Sequence, residues 1–151
     1  MKVSPSLRNA SFETICLLYI VLFVYASVSK LMDFEVFQVQ IAQSPLLSSF
    51  AGPVSYAVII IELIISMGLC LQKTRKISLY TAYSLMVFFT GYIVIILNFS
   101  PFVPCSCGGI LEKLNWNQHL LFNIAFCVLG IVGILFQDGF SLSAKKNTRT
   151  F

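Results

Sequence analysis

Four long apolar segments divide the chain, and they limit its fold more than any other feature. They cover approximately residues 14–29, 50–71, 77–97 and 119–136, and a tail follows at 137–151. A helix needs about 20 apolar residues to cross the hydrocarbon core of a bilayer. An open sheet cannot cross, because lipid offers no partner for its unpaired peptide groups. The segments therefore predict an all-α protein, a polytopic four-helix bundle in a membrane.

The composition agrees with this class and excludes others. Hydrophobic residues make up 58% of the chain, charged residues make up 11%, and the mean hydropathy is +0.88. A water-soluble surface needs more polar residues than this. Because 151 residues leave no room for a separate soluble domain, we expect one integral membrane domain over 1–151. The net charge of +4 is spread beside the apolar segments, so the expected partner is the lipid bilayer and not nucleic acid.

Lysine and arginine residues predict the orientation in the bilayer. Eight of the ten flank the N-terminus, the turn between the second and third segments, or the C-terminus, and only Lys30 and Lys113 occupy the other two connections. The positive-inside rule then places both termini in the cytoplasm of a cell with an inner membrane. The connection between the third and fourth segments faces outward. A cleaved signal peptide is the alternative for the first segment, but the length of its apolar run favours retention.

Residues 33–43, between the first two segments, predict a short interfacial segment. Phe34, Phe37 and Ile41 recur at helical spacing, although alternation over 36–41 also resembles a strand. Next to a bilayer a helix is favoured, with its aromatic side chains toward lipid and its glutamines toward water. It ends at Ser44, because the residue before a proline avoids helical geometry. Both a lid over the bundle and an ordinary connector remain open.

The outward connection contains the sequence Pro104-Cys105-Ser106-Cys107-Gly108-Gly109. Thiols two residues apart lie near the upper limit of disulfide geometry, so a turn must draw them together, and the proline and the glycines favour one. The disulfide of such a small, strained ring exchanges easily with the thiols of a partner. Passive thiols and a metal site are the alternatives. With His119 the pair gives only three ligands, which argues against zinc.

Two further residues are candidates for a site. Glu62 places a carboxyl in an apolar segment, which marks either a function or a buried hydrogen bond. Counted from Phe50 it lies about 18 Å along the helix, beyond the midplane and too far from the cysteines for direct proton exchange. In the simpler interpretation it is a neutral, hydrogen-bonded carboxyl, with Gly68 allowing close helix approach. His119 begins the fourth segment and is either a base for the thiols or an interfacial polar residue.

These residues resemble the methylamine utilisation protein MauE family, which belongs with the DoxX-like membrane proteins. The likeness spans nearly the whole chain and rests on Ser29-Lys30-Leu31-Met32-Asp33-Phe34, Ser44-Pro45-Leu46-Leu47, Ile61-Glu62-Leu63 and Cys105-Ser106-Cys107-Gly108-Gly109. The last is similar to the family's Cys-Gly-Cys-Phe-Gly element, with Ser106 and Gly108 in place of its glycine and phenylalanine. The resemblance implies a four-helix protein for maturation or disulfide formation of exported methylamine dehydrogenase, grouped with quinone-linked redox proteins.

Two functional hypotheses follow from different classes. In the first, the protein is a membrane component of thiol–disulfide oxidoreductase chemistry. Cys105 and Cys107 take electrons from an exported thioredoxin-like partner, and a quinone in the bundle is the candidate acceptor. In the second, it is a non-catalytic subunit or chaperone that holds a partner through Lys30, Asp33 and the interfacial segment, and its cysteines are structural. A carrier using Glu62 is disfavoured, because the chain has no internal repeat.

Overall fold

The computed structural model describes residues 5–44, 47–99 and 116–147, and the side chains of 7–44, 47–98 and 116–137. The helices are α1 (Pro5–Met32), α2 (Phe34–Ala42), α3 (Ala51–Cys70), α4 (Arg75–Phe99) and α5 (Trp116–Asn147). A single 3-10 turn, Ser48–Phe50, precedes α3, so all regular structure in this part of the chain is helical. The prediction of an all-α fold is confirmed.

Four of the helices are long and apolar enough to cross a bilayer. The membrane-competent stretches are Leu7–Met32, Ser48–Cys70, Arg75–Asn98 and Trp116–Gln137. Many of their large apolar side chains are exposed, as those of Ile64, Met67 and Leu121 are. Such a surface is stable only against lipid. The protein is therefore a multi-pass membrane protein, as the apolar segments predict.

The four long helices form a closed ring. Helix α1 packs on α3 and α5, and α4 packs on the same two helices. Consecutive long helices run in opposite directions, so the end of α1, the start of α3, the end of α4 and the start of α5 share one end of the bundle. Helix α2 packs on α3 at this end, which we call the α2 end.

Small residues and one tyrosine hold the helices close together. At Gly68 a Cβ atom would collide with the Ser78 hydroxyl of α4, so the expected close approach at this glycine is confirmed. At Gly130 of α5 a Cβ would lie 2.6 Å from the Tyr19 hydroxyl of α1. That hydroxyl donates a hydrogen bond of 2.6 Å to the backbone carbonyl of Phe126. Close packing and hydrogen bonding between helices are the forces that hold membrane bundles together.

The helices are longer than the apolar segments that reveal them. Helix α1 begins at Pro5, a residue suited to a first helical position, and α5 continues to Asn147. Residues 137–147, which follow the last apolar segment, are therefore helical. The reason is that hydropathy marks the part of a helix that fits in lipid, whereas backbone hydrogen bonding continues beyond it.

The interfacial segment is a helix, but its orientation differs from the expectation. Phe37, Gln40 and Ile41 are all buried, and Phe37 and Ile41 form a small core with Ala51 and Ile59 of α3. Spacings of three and four residues place these side chains on one helix face. Because α2 lies on α3, that face turns toward the bundle. Gln40 thus points inward and not toward water.

Candidate functional site

A cavity of about 310 Å³ lies at the α2 end of the bundle and is our candidate functional site. Its walls come from all five helices, and most of its lining side chains are apolar. Polar groups reach it from α1, α2, α3 and α5, namely Lys30, Gln40, Glu62, His119 and Asn123. A largely apolar cavity with a few convergent polar groups is the usual form of a small-molecule site.

A buried ion pair fixes the polar part of this cavity. The Nζ of Lys30 lies 2.7 Å from the Oε1 of Glu62, and the Ser27 hydroxyl donates a hydrogen bond of 3.0 Å to Oε2. The side chain of Glu62 is fully buried, and that of Lys30 is 14% exposed. The Lys30 ammonium also lies 5.7 Å from the centre of the Phe37 ring. These contacts tie α1 to α3 and α2.

The first turns of α5 supply the opposite wall of the cavity. Trp116 and His119 line it one turn apart, and their rings stack with centroids 6.1 Å apart. The Nδ1 atom of His119 is buried and has no hydrogen-bond partner among the described residues. Asn123, one turn further along α5, is also buried. Helix α5 thus turns a row of polar side chains toward the ion pair.

Aromatic rings form much of the remaining wall, and some of them reach the outer surface. The lining includes Phe23, Phe37, Phe88, Phe89, Tyr92 and Phe122. Phe88 is 70% exposed and Tyr25, which also lines the cavity, is 37% exposed. Both belong to membrane-spanning helices, so the cavity borders the lipid-facing surface of the bundle.

The structure brings three of the residues selected from the sequence to this cavity. Lys30, Glu62 and His119 all line it, whereas Asp33 is exposed at the start of α2. The simpler interpretation of Glu62 is a neutral carboxyl held by hydrogen bonds. In the structure its carboxylate instead pairs with the Lys30 ammonium and also accepts a hydrogen bond from the Ser27 hydroxyl. Both partners lie within five positions of the end of α1. The depth of Glu62 in the bilayer and its distance from the two cysteines stay predictions.

The predicted redox pair, Cys105 and Cys107, lies outside the described residues. The other three cysteines are free: Cys16 is buried, Cys127 is half-buried and Cys70 is exposed. Within the described part of the chain, no three His, Cys, Asp or Glu side chains come together as metal ligands.

Sequence reasoning did not select Ser27, Gln40 or Trp116 as site residues. Ser27 precedes Lys30 by one helical turn, and this spacing could have identified it as a second partner for Glu62. Gln40 shares a helix face with Phe37, but the direction in which that face turns depends on packing against α3, so no sequence signal was available for it. For Trp116, its place three residues before His119 was the available signal.

Comparisons with known proteins support the family suggested by the sequence. No curated protein and no solved structure matches the chain. The family model for the methylamine utilisation protein MauE matches residues 8–136. This range includes the four apolar segments and the connection between α4 and α5. The chain is therefore a membrane protein that belongs to the methylamine utilisation protein MauE family, a family associated with methylamine utilisation.

Proposed function

We propose that the protein is a membrane component of extracytoplasmic thiol–disulfide chemistry, in which Cys105 and Cys107 form the reactive pair. The observation that carries the proposal is the Cys-Ser-Cys-Gly-Gly sequence in the connection from α4 to α5. That connection starts and ends at the α2 end, where the polar groups of the cavity converge. With both termini in the cytoplasm, the positive-inside rule places this end outside, in an oxidising compartment.

The exchange needs only two reactants, the dithiol of the partner and the Cys105–Cys107 disulfide. A thiolate of a reduced, exported thioredoxin-like partner attacks the Cys105–Cys107 disulfide, and the mixed disulfide is then resolved by the partner's second thiol. The partner leaves with a disulfide, and Cys105 and Cys107 become two thiols. His119, the single histidine of the chain, lies in the first turn of α5, and it would stabilise the thiolate or carry its proton.

Thiol labelling of intact cells tests the orientation. A membrane-impermeant maleimide should label Cys105 and Cys107 only after mild reduction. Cys70 is an exposed thiol at the last residue of α3, far from the α2 end. It should react only after the cells are permeabilised. Labelling of Cys70 in intact cells, or no labelling of Cys105 and Cys107 under any condition, would refute the orientation.

An exchange assay tests the chemistry. The purified, oxidised protein is mixed with reduced thioredoxin as a probe, and the loss of thioredoxin thiols is followed by gel shift. Cys105→Ser and Cys107→Ser should each abolish disulfide transfer, and Cys70→Ser should transfer normally. Normal transfer by both serine variants would exclude the mechanism. A pair that stays oxidised in the native protein would instead support the non-catalytic subunit, whose cysteines only close a loop.

A further inference from the structure

The cavity at the α2 end has features that select a ligand. Its walls are rich in aromatic rings and border the lipid-facing surface through Phe88 and Tyr25, so the ligand is hydrophobic and travels in the bilayer. Flat rings stack favourably against such walls. The volume of about 310 Å³ falls at the lower end of the range for small-molecule sites. A flat ring fits these conditions better than a bulky or water-soluble molecule.

The polar groups add a second requirement. The buried Nδ1 of His119 lacks a partner among the described residues, and a buried polar atom of this kind is costly unless it gains a partner, which a ligand can supply. The Lys30 ammonium has three donors, of which Glu62 accepts one. The ligand should therefore carry oxygen atoms that accept hydrogen bonds. It should not be an anion, because Glu62 already neutralises Lys30.

We propose that this cavity binds the head ring of a membrane-soluble quinone, with Lys30 and His119 as hydrogen-bond donors to its carbonyl oxygens. An acyl chain would fill the apolar part but leave Nδ1 of His119 unpaired. An anionic lipid head group would find no net positive charge. A quinone head ring is flat, uncharged and hydrophobic, and it has carbonyl acceptors on opposite sides.

The use of this ligand as an electron acceptor rests on the proposed function, whereas its binding does not. When bound, a quinone accepts two electrons and two protons, which is what two thiols release when they form a disulfide. The residues of the chain bind and orient the ring. Their arrangement at the α2 end keeps the site next to the connection that carries Cys105 and Cys107.

Trp116 offers a direct measurement of binding. It is the only tryptophan in the chain and it lines the cavity, so a bound quinone should quench its fluorescence. A short-chain ubiquinone is titrated into the Cys105→Ser/Cys107→Ser variant in micelles. This variant excludes reaction of the quinone with those thiols and separates binding from exchange. Saturable quenching is the expected result, and geraniol, which has an isoprenoid chain but no ring, should not compete.

Variants on α5 test the donor. His119→Phe keeps an aromatic ring but removes the imidazole, and it should weaken binding about tenfold, as the loss of one buried hydrogen bond does. Leu121→Phe, an exposed position on the same helix that does not line the cavity, should bind as tightly as the parent. Circular dichroism checks that both variants are folded.

Three results would overturn the proposal. They are quenching that rises linearly without saturation, displacement of the quinone by geraniol, and equal affinity in a folded His119→Phe variant. Disulfide exchange by the native cysteines could still occur in each case. Failure of the quinone site is thus distinguishable from failure of the thiol chemistry.

Discussion

Removing one partner of the ion pair between α1 and α3 should destabilise the bundle strongly. The change is Lys30→Met, which leaves the fully buried Glu62 carboxylate with the Ser27 hydroxyl as its remaining side-chain partner. Breaking a buried pair in this way lowers the free energy of unfolding by about 3–5 kcal/mol. Lys30 is 14% exposed, so we expect about 3 kcal/mol. Loss of the contact with the Phe37 ring adds about 0.5–1 kcal/mol.

The double variant Lys30→Met/Glu62→Met separates pairing from packing. It removes both charges and leaves no unpaired ion, so it should be less destabilised than Lys30→Met alone. We expect a loss of about 1 kcal/mol, because the buried Ser27 hydroxyl loses its acceptor. The free energies are measured by unfolding in mixed micelles with a rising fraction of SDS, followed by circular dichroism.

Two exposed charged residues provide the controls for the Lys30 and Glu62 variants. Lys73→Met and Glu35→Gln remove charges from exposed positions, and each should change the free energy of unfolding by less than about 0.5 kcal/mol. The single variant Glu62→Met is measured as well. If the double variant lost as much as Lys30→Met and Glu62→Met together, Lys30 and Glu62 would not be energetically coupled. The geometry described here would then carry no stabilising pair.

Packing between the helices gives three further predictions, all measured by the same unfolding assay. Gly130→Ala places a Cβ 2.6 Å from the Tyr19 hydroxyl and should cost about 1–3 kcal/mol. Gly91→Ala is its control, since that Cβ meets open space, and it should not destabilise. Tyr19→Phe removes the bond to the Phe126 carbonyl and should cost about 1 kcal/mol. Phe37→Ala empties the core between α2 and α3 and should cost about 3–5 kcal/mol. Unchanged midpoints would refute each packing argument.

The number and type of helices were predictable because they depend on sums over long windows. Each apolar segment is long enough that a few polar residues do not hide it. The helix ends were less predictable, since backbone hydrogen bonding carries α5 to Asn147, far beyond its apolar part. The helical spacing of Phe34, Phe37 and Ile41 also predicted α2 correctly. Which way its glutamines point depends on packing against α3, and no periodicity within nine residues reveals that.

The residues of the site were easier to predict than the fact that they line one cavity. Lys30, Glu62 and His119 each stand out as polar residues in or beside apolar segments. Their convergence depends on how far each helix extends along the bundle axis. Counting from Phe50 gives the position of Glu62 along α3, but it does not show how α1 and α3 are offset, so it could not reveal that Ser27 and Lys30 lie beside the carboxylate. The DoxX-like kinship and the roles of Cys105 and Cys107 remain predictions.

The pair between Lys30 and Glu62 also has a consequence for biogenesis. During synthesis, the segment that becomes α3 brings a carboxylate into the bilayer, and an isolated carboxylate there is unfavourable. Its cationic counterpart is carried by α1, which leaves the ribosome earlier. Integration of α3 should therefore require that α1 is still at the insertion machinery when α3 arrives there. The two helices should then enter the lipid together as a hairpin.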